Sequence, residues 1–418
     1  MRNTRLYVLF TTFYNARAYY PILAVLFVDL GLSLEQYVML NSVWAASILL
    51  LEVPSGALAD TIGRKRLLVF ASSLMVVEMG VLLCAPKDGG VLLFSLCLLN
   101  RFLSGASEAC ASGADEAIAY DALPIEGRAS AWDLVLSTAM RWRSVGFLIA
   151  MTLGGLLYDP SWWNRLAPVS WNLSVEVAHR LPVALVFLQA LVCLWISLKF
   201  EETIPHAPYT KGACGAAFRL TVRTAVKAFT TRNVAIVLIG GLLIDSVTRN
   251  FATLTSEYYR LIGIPAWAFG LIGSTIAIGN WFVPAIATRF NQRFSPTAVL
   301  TLTGLATVLA LMTLAPAWQW FGLLPAIFLM LVLGLVGFTV SRFLHGVAAS
   351  GERATLLSVK GLVFNLGYGG YSLAFSLLLA GMGKHETGAF QQALFWQVGI
   401  FAVLLLLFVV MSRRNSQM

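Results

Sequence analysis

Residues 56–66 read Gly56-Ala57-Leu58-Ala59-Asp60-Thr61-Ile62-Gly63-Arg64-Lys65-Arg66, and apolar stretches at about 36–59 and 67–86 flank them. Each flank is long enough to cross a bilayer, because a spanning helix needs about 20 apolar residues. A tight turn between two antiparallel helices needs a residue that tolerates positive φ, and Gly63 supplies it. Gly56 is suited to close approach between the end of the first flank and a neighbouring helix. Asp60, at a helix end, can meet an arginine or the positive N-terminus of another helix. The same alternation of long apolar run and short polar loop continues outward to both ends of the chain.

Spans are predicted near 6–30, 36–59, 67–86, 90–119, 133–158, 180–199, 233–258, 265–288, 297–315, 319–342, 355–382 and 389–411. Composition agrees. Of 418 residues, 58% are apolar and 12% charged, and the mean hydropathy is +0.78. A soluble domain carries about 45–50% apolar and about 25% charged residues. Too few charges remain to coat a soluble surface, which excludes a single-domain soluble enzyme. Barrel strands would show alternating segments of about ten residues, whereas these runs are continuous. The fold class is therefore an all-α polytopic membrane protein of twelve transmembrane helices. The first run is too long for a removable signal and lacks a small-residue cleavage site, so it reads as span one.

The net charge of +9 is explained by where the basic residues lie. With the N-terminus inside, Arg64, Lys65, Arg66, Lys211, Arg219, Arg223, Lys227, Arg413 and Arg414 all fall on the cytoplasmic side. The opposite side holds Lys87, Arg165, Arg180, Arg260 and Lys384. Retention of positive charge inside places both termini in the cytoplasm of a cell with an inner (plasma) membrane, and no nucleic-acid partner is implied. The cysteines (Cys84, Cys97, Cys110, Cys193, Cys214) lie singly and the histidines (His179, His206, His345, His385) are scattered. Neither a disulfide framework nor a metal site follows.

One boundary stands out. Residues 200–232 form the long polar stretch dividing six spans from six, giving a bundle at 1–200, a linker at 201–232 and a second bundle at 233–418. In the linker Phe218, Val222, Ala225, Val226 and Phe229 recur at helical spacing with Arg219, Arg223 and Lys227 between them, the pattern of an interfacial amphipathic helix. Trp162, Trp163 and Trp171, in an outer loop at 159–179, suit an aromatic belt. The halves also echo each other. Glu126-Gly127-Arg128-Ala129-Ser130 recurs as Gly351-Glu352-Arg353-Ala354-Thr355, and Val53-Pro54 as Val283-Pro284. Two pseudo-symmetric six-helix bundles are a transporter plan.

The Gly56–Arg66 segment resembles the signature loop of the major facilitator superfamily in both pattern and position. That resemblance implies a conformational latch made by Gly56, Asp60, Gly63 and Arg64. In the family the Asp and Arg pair with an acid at the end of span four and with the start of span eleven, here Asp121 and Ala354-Thr355. The second-half copy, Ala287-Thr288-Arg289-Phe290-Asn291-Gln292-Arg293, lacks the Asp and both glycines. Arg101-Phe102-Leu103-Ser104-Gly105 is similar to the family's span-four motif. Span five has Gly146, Gly154 and Gly155 but Met151 where drug/proton antiporters of the family tend to carry proline.

Ionisable groups inside spans are costly and commonly functional, with acids serving as proton relays. On span four Arg101, Glu108 and Asp115 are seven apart, which places them on one face of a continuous helix. Glu108 and Asp115 are thus candidates for proton coupling, with Glu52 and Asp245 next; alternatively Arg101 and Glu108 form a static network. Asp245 and Arg249 are an i,i+4 pair in span seven. Arg141, Arg143 and Lys360 lie shallow enough to reach the cytoplasmic boundary. In span one, Arg17 is about eleven residues from the inner end, roughly 16 Å deep. It faces either a solute or a carboxylate such as Glu108 or Glu52. The first alternative gives a substrate site of Arg17, Arg249, Tyr14 and Asn15, similar to the phosphate-ester antiporters of the family, in which one Arg from each half clamps the anion.

The function expected from the resemblance is secondary active transport of a small organic solute by alternating access, proton-coupled and outward, by a chain that works as a monomer. Exchange or import of an organic anion is the other transport reading. No Gly-rich phosphate loop is present to support ATP-driven pumping, and no cofactor is implied. A membrane-embedded enzyme lacks a nucleophile–base pair, and a sensor or channel has no use for a latch.

Overall fold

The computed structural model describes residues 2–166, 173–202, 213–347, 353–382 and 388–414. It is helical throughout the described residues, as a bilayer requires of chain segments that must satisfy their own backbone polar groups. Among the described residues eleven helical segments are long and apolar enough to cross a membrane, one of them the interrupted segment Gly90–Asp121. The remaining span is the first, and it is not one helix. Helix α1 (Arg2–Asn15) ends at Asn15, a 3₁₀ turn covers Tyr20–Ile22, and α2 (Leu23–Asp29) completes the crossing. Asn15 Nδ2 turns back to the Thr11 carbonyl at 2.7 Å, and Pro21 lacks the N–H needed to continue a helix. The continuous span expected at 6–30 is therefore broken near its middle.

Helices α3 (Leu34–Ile62) and α4 (Arg64–Leu83) follow, with only Gly63 between them at φ +101°. The turn is thus a single residue. Span four is also discontinuous. Helix α5 (Gly90–Ala111) stops at Ser112, Gly113 takes φ +76°, and α6 (Ala114–Asp121) begins anew. The single face expected for Arg101, Glu108 and Asp115 does not survive that break, because Asp115 belongs to a different helix. Next come α7 (Arg128–Tyr158), the short α8 (Pro160–Leu166), α9 (Val175–Lys199) and α10 (Ala213–Thr230). The second half holds α11 (Arg232–Leu261), α12 (Ala266–Arg293), α13 (Pro296–Leu314), α14 (Leu323–Val347), α15 (Arg353–Gly381) and α16 (Ala389–Arg414). Ser174 and Ser295 cap α9 and α13, accepting from Val177 N and Ala298 N, as serine does at helix starts. Helix α10 covers the amphipathic stretch of the linker, and Phe218, Val222, Val226 and Phe229 on it are exposed.

The chain gathers into two compact units that depart from its halves at two places. Unit 1 comprises 1–32, 43–218 and 265–277; unit 2 comprises 33–42, 219–264 and 278–418. Each unit therefore holds a short segment from the other half. In unit 2 the first turns of α3 are fixed by Tyr37 Oη donating to Thr253 O at 2.8 Å and Ser42 Oγ donating to Gly369 O at 2.9 Å. Ser376 Oγ donates to Glu35 O at 2.8 Å. In unit 1 the start of α12 lies on α7. Thr152 Oγ1 and Ser274 Oγ share a hydrogen bond of 2.9 Å, Asp159 Oδ2 accepts from Trp267 N at 3.2 Å, and the rings of Trp162 and Trp267 stand 5.7 Å apart.

Close approach on this α7–α12 seam depends on glycine. A Cβ on Gly155 would lie 2.7 Å from Gly270 N and 2.9 Å from Trp267 O, with backbone on both sides unable to yield. At Gly56 the expected close contact is absent, since a Cβ there meets nothing within 4 Å. Gly155→Val is expected to cost about 1–3 kcal/mol through overpacking and to lower the thermal midpoint of the detergent-solubilised protein. Gly56→Ala, within α3 and unopposed, should not lower that midpoint. Equal midpoints for Gly155→Val and the unaltered chain would disprove this account of the seam.

Candidate functional site

Unit 1 contains a buried ionic core at the break in span one. Arg17 sits between α1 and the 3₁₀ turn with 2% of its side chain exposed, and Glu78 on α4 has 0%. Arg17 Nη1 donates to Glu78 Oε1 at 3.1 Å, to Tyr19 Oη at 3.1 Å and to Ser104 Oγ at 3.4 Å. Its Nε reaches the Tyr14 carbonyl at 3.4 Å. Asn100 Nδ2 donates to Glu78 O at 2.8 Å, so α5 joins the same network. The partner of Arg17 is therefore Glu78, neither Glu108 nor Glu52. Its companions are engaged as well. Tyr14 is buried with its hydroxyl 2.6 Å from Ser107 Oγ, and Asn15 is spent on the turn at Thr11.

The carboxylates considered for proton coupling adjoin this core, since Glu108 interacts electrostatically with both Arg17 and Glu78. Glu52 on α3 and Glu108 on α5 are half-buried and within electrostatic range of each other, and Glu108 acts in turn on Asp115. Asp115 sits in the first turn of α6, where its Oδ1 accepts from Glu116 N at 2.8 Å. A carboxylate suits that position, beside the free N–H groups of a helix start. The break at Ser112–Gly113 lies between Glu108 and Asp115. Gly105 lets α5 meet α3, since a Cβ there would come within 2.7 Å of Trp44 O.

At the Gly63 turn, Arg64 forms an ion pair with Asp121 at the end of α6 and also donates to Ala117 O at 3.2 Å. The sequence did not point to Glu202, which caps α4. Its two carboxylate oxygens accept from Arg64 N at 3.1 Å and Lys65 N at 3.0 Å. Beside it Glu201 pairs with Arg2 and exchanges hydrogen bonds with Asn3. The side chains of Asp60, Arg353, Ala354 and Thr355, together with Trp171 and Lys211, lie outside the described residues.

Unit 2 carries a second charged cluster. Asp245 Oδ1 accepts from Arg249 Nη2 at 2.9 Å within α11, and Arg249 Nη1 donates to Asn365 Oδ1 on α15 at 2.9 Å. Lys360 is half-buried, with Nζ donating to Ser341 Oγ on α14 at 2.8 Å, and it interacts electrostatically with Asp245 and Arg249. Arg17 and Arg249 differ in access: 2% of the first side chain is exposed and 27% of the second.

With this geometry the comparisons with known proteins are clear. The profile of the Major Facilitator Superfamily matches residues 6–367, and the chain belongs to that superfamily. It is an integral membrane protein with a transporter fold and not an enzyme. Similar solved structures include the nucleoside transporter NupG (TM-score 0.72, 15% identity, 98% of each chain covered). A POT family transporter in complex with a thioalcohol-conjugated peptide gives TM-score 0.71 at 14% identity, with 98% of this chain and 96% of that one covered. A D-xylose–proton symporter gives TM-score 0.61 at 16% identity, with 98% and 95% covered. No curated protein matches the sequence.

Breaking a buried ion pair by removing one partner costs about 3–5 kcal/mol, because the other charge is left uncompensated. Arg17→Gln and Glu78→Gln should each sharply reduce the yield of folded protein on size-exclusion chromatography. The double variant should recover much of the loss. A double variant no better than either single one would show that the two residues act independently.

Proposed function

We propose that this transporter couples the export of a small organic solute to proton entry by alternating access, as a monomer in the inner (plasma) membrane with both termini cytoplasmic. The basic residues flanking the spans support that orientation. The observation that carries proton coupling is the group of Glu52, Glu108 and Asp115 around the discontinuity of span four. Acids within spans are costly to keep unless they work, and Glu108 and Asp115 flank a point where the helix is already interrupted. A proton taken up there changes the charge of the carrier between its loaded and returning forms. Each tenfold proton gradient then supplies about 1.4 kcal/mol, enough for a tenfold solute gradient.

Arg64 and Asp121, with Asp60 in the same loop, supply the switch in this reading. The ion pair is partly exposed, 26% for Arg64 and 13% for Asp121, so it can break and re-form without stranding a charge in the core. Glu202 adds a fixed point by holding the first turn of α4.

Two expectations test the proposal in proteoliposomes. Glu108→Gln and Asp115→Asn should abolish proton-driven uphill transport while counterflow of labelled solute persists in part. Uphill transport that survives both single substitutions and their combination removes these acids from coupling. Asp60→Asn should insert and fold normally yet slow transport at least tenfold, and a wild-type rate in that variant would end the latch assignment.

A further inference from the structure

We propose that Arg249 and Lys360, with Asp245 between them in charge, form the anion subsite of the transported solute. The solute class is an organic anion, a carboxylate or phosphate ester, with a hydroxyl or amino donor beside its charge. This deepens the transporter reading and rests on it.

The charge inventory is the first argument. Helix α11 packs against α13, α14, α15 and α16. Helix α13 has no charged residue, α14 brings only Arg342 and His345 near its end, both exposed, and the charges of α16 are the terminal Arg413 and Arg414. On α11 itself Arg232 is terminal, and Glu257 and Arg260 pair with each other near the other end. The groups that act on Asp245 are Arg249 and Lys360. One carboxylate therefore faces two cations. A net positive cluster inside a membrane protein needs an anion, water or a partner helix; Glu35, at the start of α3, sits beside Ser376, eleven residues beyond Asn365 on α15, and is not among the groups acting on Asp245 or Lys360.

Donor geometry is the second argument. A guanidinium has five N–H groups and an ammonium three. Arg249 directs one at Asn365 and one at Asp245, and 27% of its side chain remains exposed. Its planar fork suits the paired oxygens of a carboxylate or phosphate. Lys360, held by Ser341 and Gly337 on α14, lies within electrostatic range of Arg249 and Asp245. The rings of Tyr368 and Phe364, both buried, lie under Arg249 and Lys360 at 5.7 and 5.3 Å and hold the cations in place by their faces.

The third observation names the rest of the ligand. Asp245 is 2% exposed, and its Oδ2 is buried with no hydrogen-bond partner among the described residues. A buried acceptor left unsatisfied costs about 1–3 kcal/mol. A hydroxyl or amino group next to the solute's charge would satisfy it, whereas a plain carboxylate would not.

The test uses the purified full-length chain and a panel of lactate, gluconate, glutamate and glucose 6-phosphate, set against lactamide, glucose and propionate. Thermal stabilisation reports binding. At least one hydroxylated or amino acid anion should stabilise the wild type, and its uncharged counterpart should not. Lys360→Gln should weaken the apparent affinity at least tenfold and Lys360→Arg should restore most of it. Asp245→Asn should weaken lactate more than propionate. Arg249→Gln should lose binding; if that variant fails to fold, the Lys360 pair decides. No stabilisation by any anion, or the same stabilisation in Lys360→Gln as in the wild type, overturns the subsite. Counterflow separates the two levels of inference. Binding without flux would refute transport of that solute and leave the site, while flux of a neutral solute with no anion binding would refute the site alone.

Discussion

An arginine buried halfway along a membrane span is tolerable only if its charge and its neighbours' backbone are both answered. Arg17 does both. The chain leaves helical geometry at Ala16 and resumes it at Tyr20, and lipid offers no water to the groups that the interruption frees. Arg17 Nε closes on the Tyr14 carbonyl, Tyr20 N closes on Arg17 O at 3.1 Å, and the guanidinium meets Glu78. Burying two ions costs several kcal/mol each unless further hydrogen bonds complete the pair. Tyr19, which meets both Arg17 and Glu78 Oε1, and Ser104 provide them, while Asn100 holds the Glu78 backbone carbonyl. The pair thereby ties α1, α4 and α5 at one level, and the two other features of unit 1, the acids of span four and the Arg64–Asp121 contact, are built on those helices and on α6.

Much of this was legible in the sequence, and what escaped it has definite causes. The spans were readable because twenty or more apolar residues in a row have few other uses. The Gly63 turn was readable because positive φ selects glycine. The break in span one was not. Pro21 alone is no signal, as Pro54 and Pro284 sit inside the uninterrupted helices α3 and α12, where neighbouring groups absorb the missing hydrogen bond. The partner of Arg17 was equally hidden. Glu78 lies 61 residues away, and helical spacing relates only residues of one helix. The partners of Lys360 were hidden too, since Ser341, which accepts from its Nζ, lies on a different helix, α14. Glu202 escaped notice because a cap formed by a distant loop leaves no pattern near the turn it caps.

Helices α3 and α12 show how the two halves echo each other where sequence similarity is faint. Each starts in one compact unit and ends in the other, and each carries Val-Pro in its later part. A proline inside a helix removes one backbone bond and weakens the ladder locally. The start of α3 is fixed by hydrogen bonds to backbone carbonyls, and that of α12 by a hydroxyl pair, glycine contact and the Asp159 carboxylate on Trp267 N, so neither relies on an ion pair. Such contacts can part and re-form at small cost, unlike the Arg17–Glu78 pair. A carrier needs both kinds. The Arg17–Glu78 network holds unit 1 through a buried ion pair, whereas the starts of α3 and α12 are held without one.

The two buried arginines make the same division by charge. Around Arg17 one cation meets one carboxylate and two hydroxyls at 2% exposure, and its Nη2, which has no hydrogen-bond partner among the described residues, is closed to solvent. Displacing Glu78 by a solute would leave that carboxylate uncompensated in the core, a cost of several kcal/mol. Around Arg249 the balance stays open, with a second cation on α15, one carboxylate oxygen unmatched and over a quarter of the guanidinium side chain accessible. An arginine pair drawn from both halves on symmetry alone would treat these residues as equivalent. Burial and partner chemistry make the first a structural tie and leave the second able to exchange partners. A transport site must be able to lose its ligand, so unsatisfied valence with access, and not the mere presence of a buried charge, is the criterion that singles out the Asp245–Arg249–Lys360 cluster.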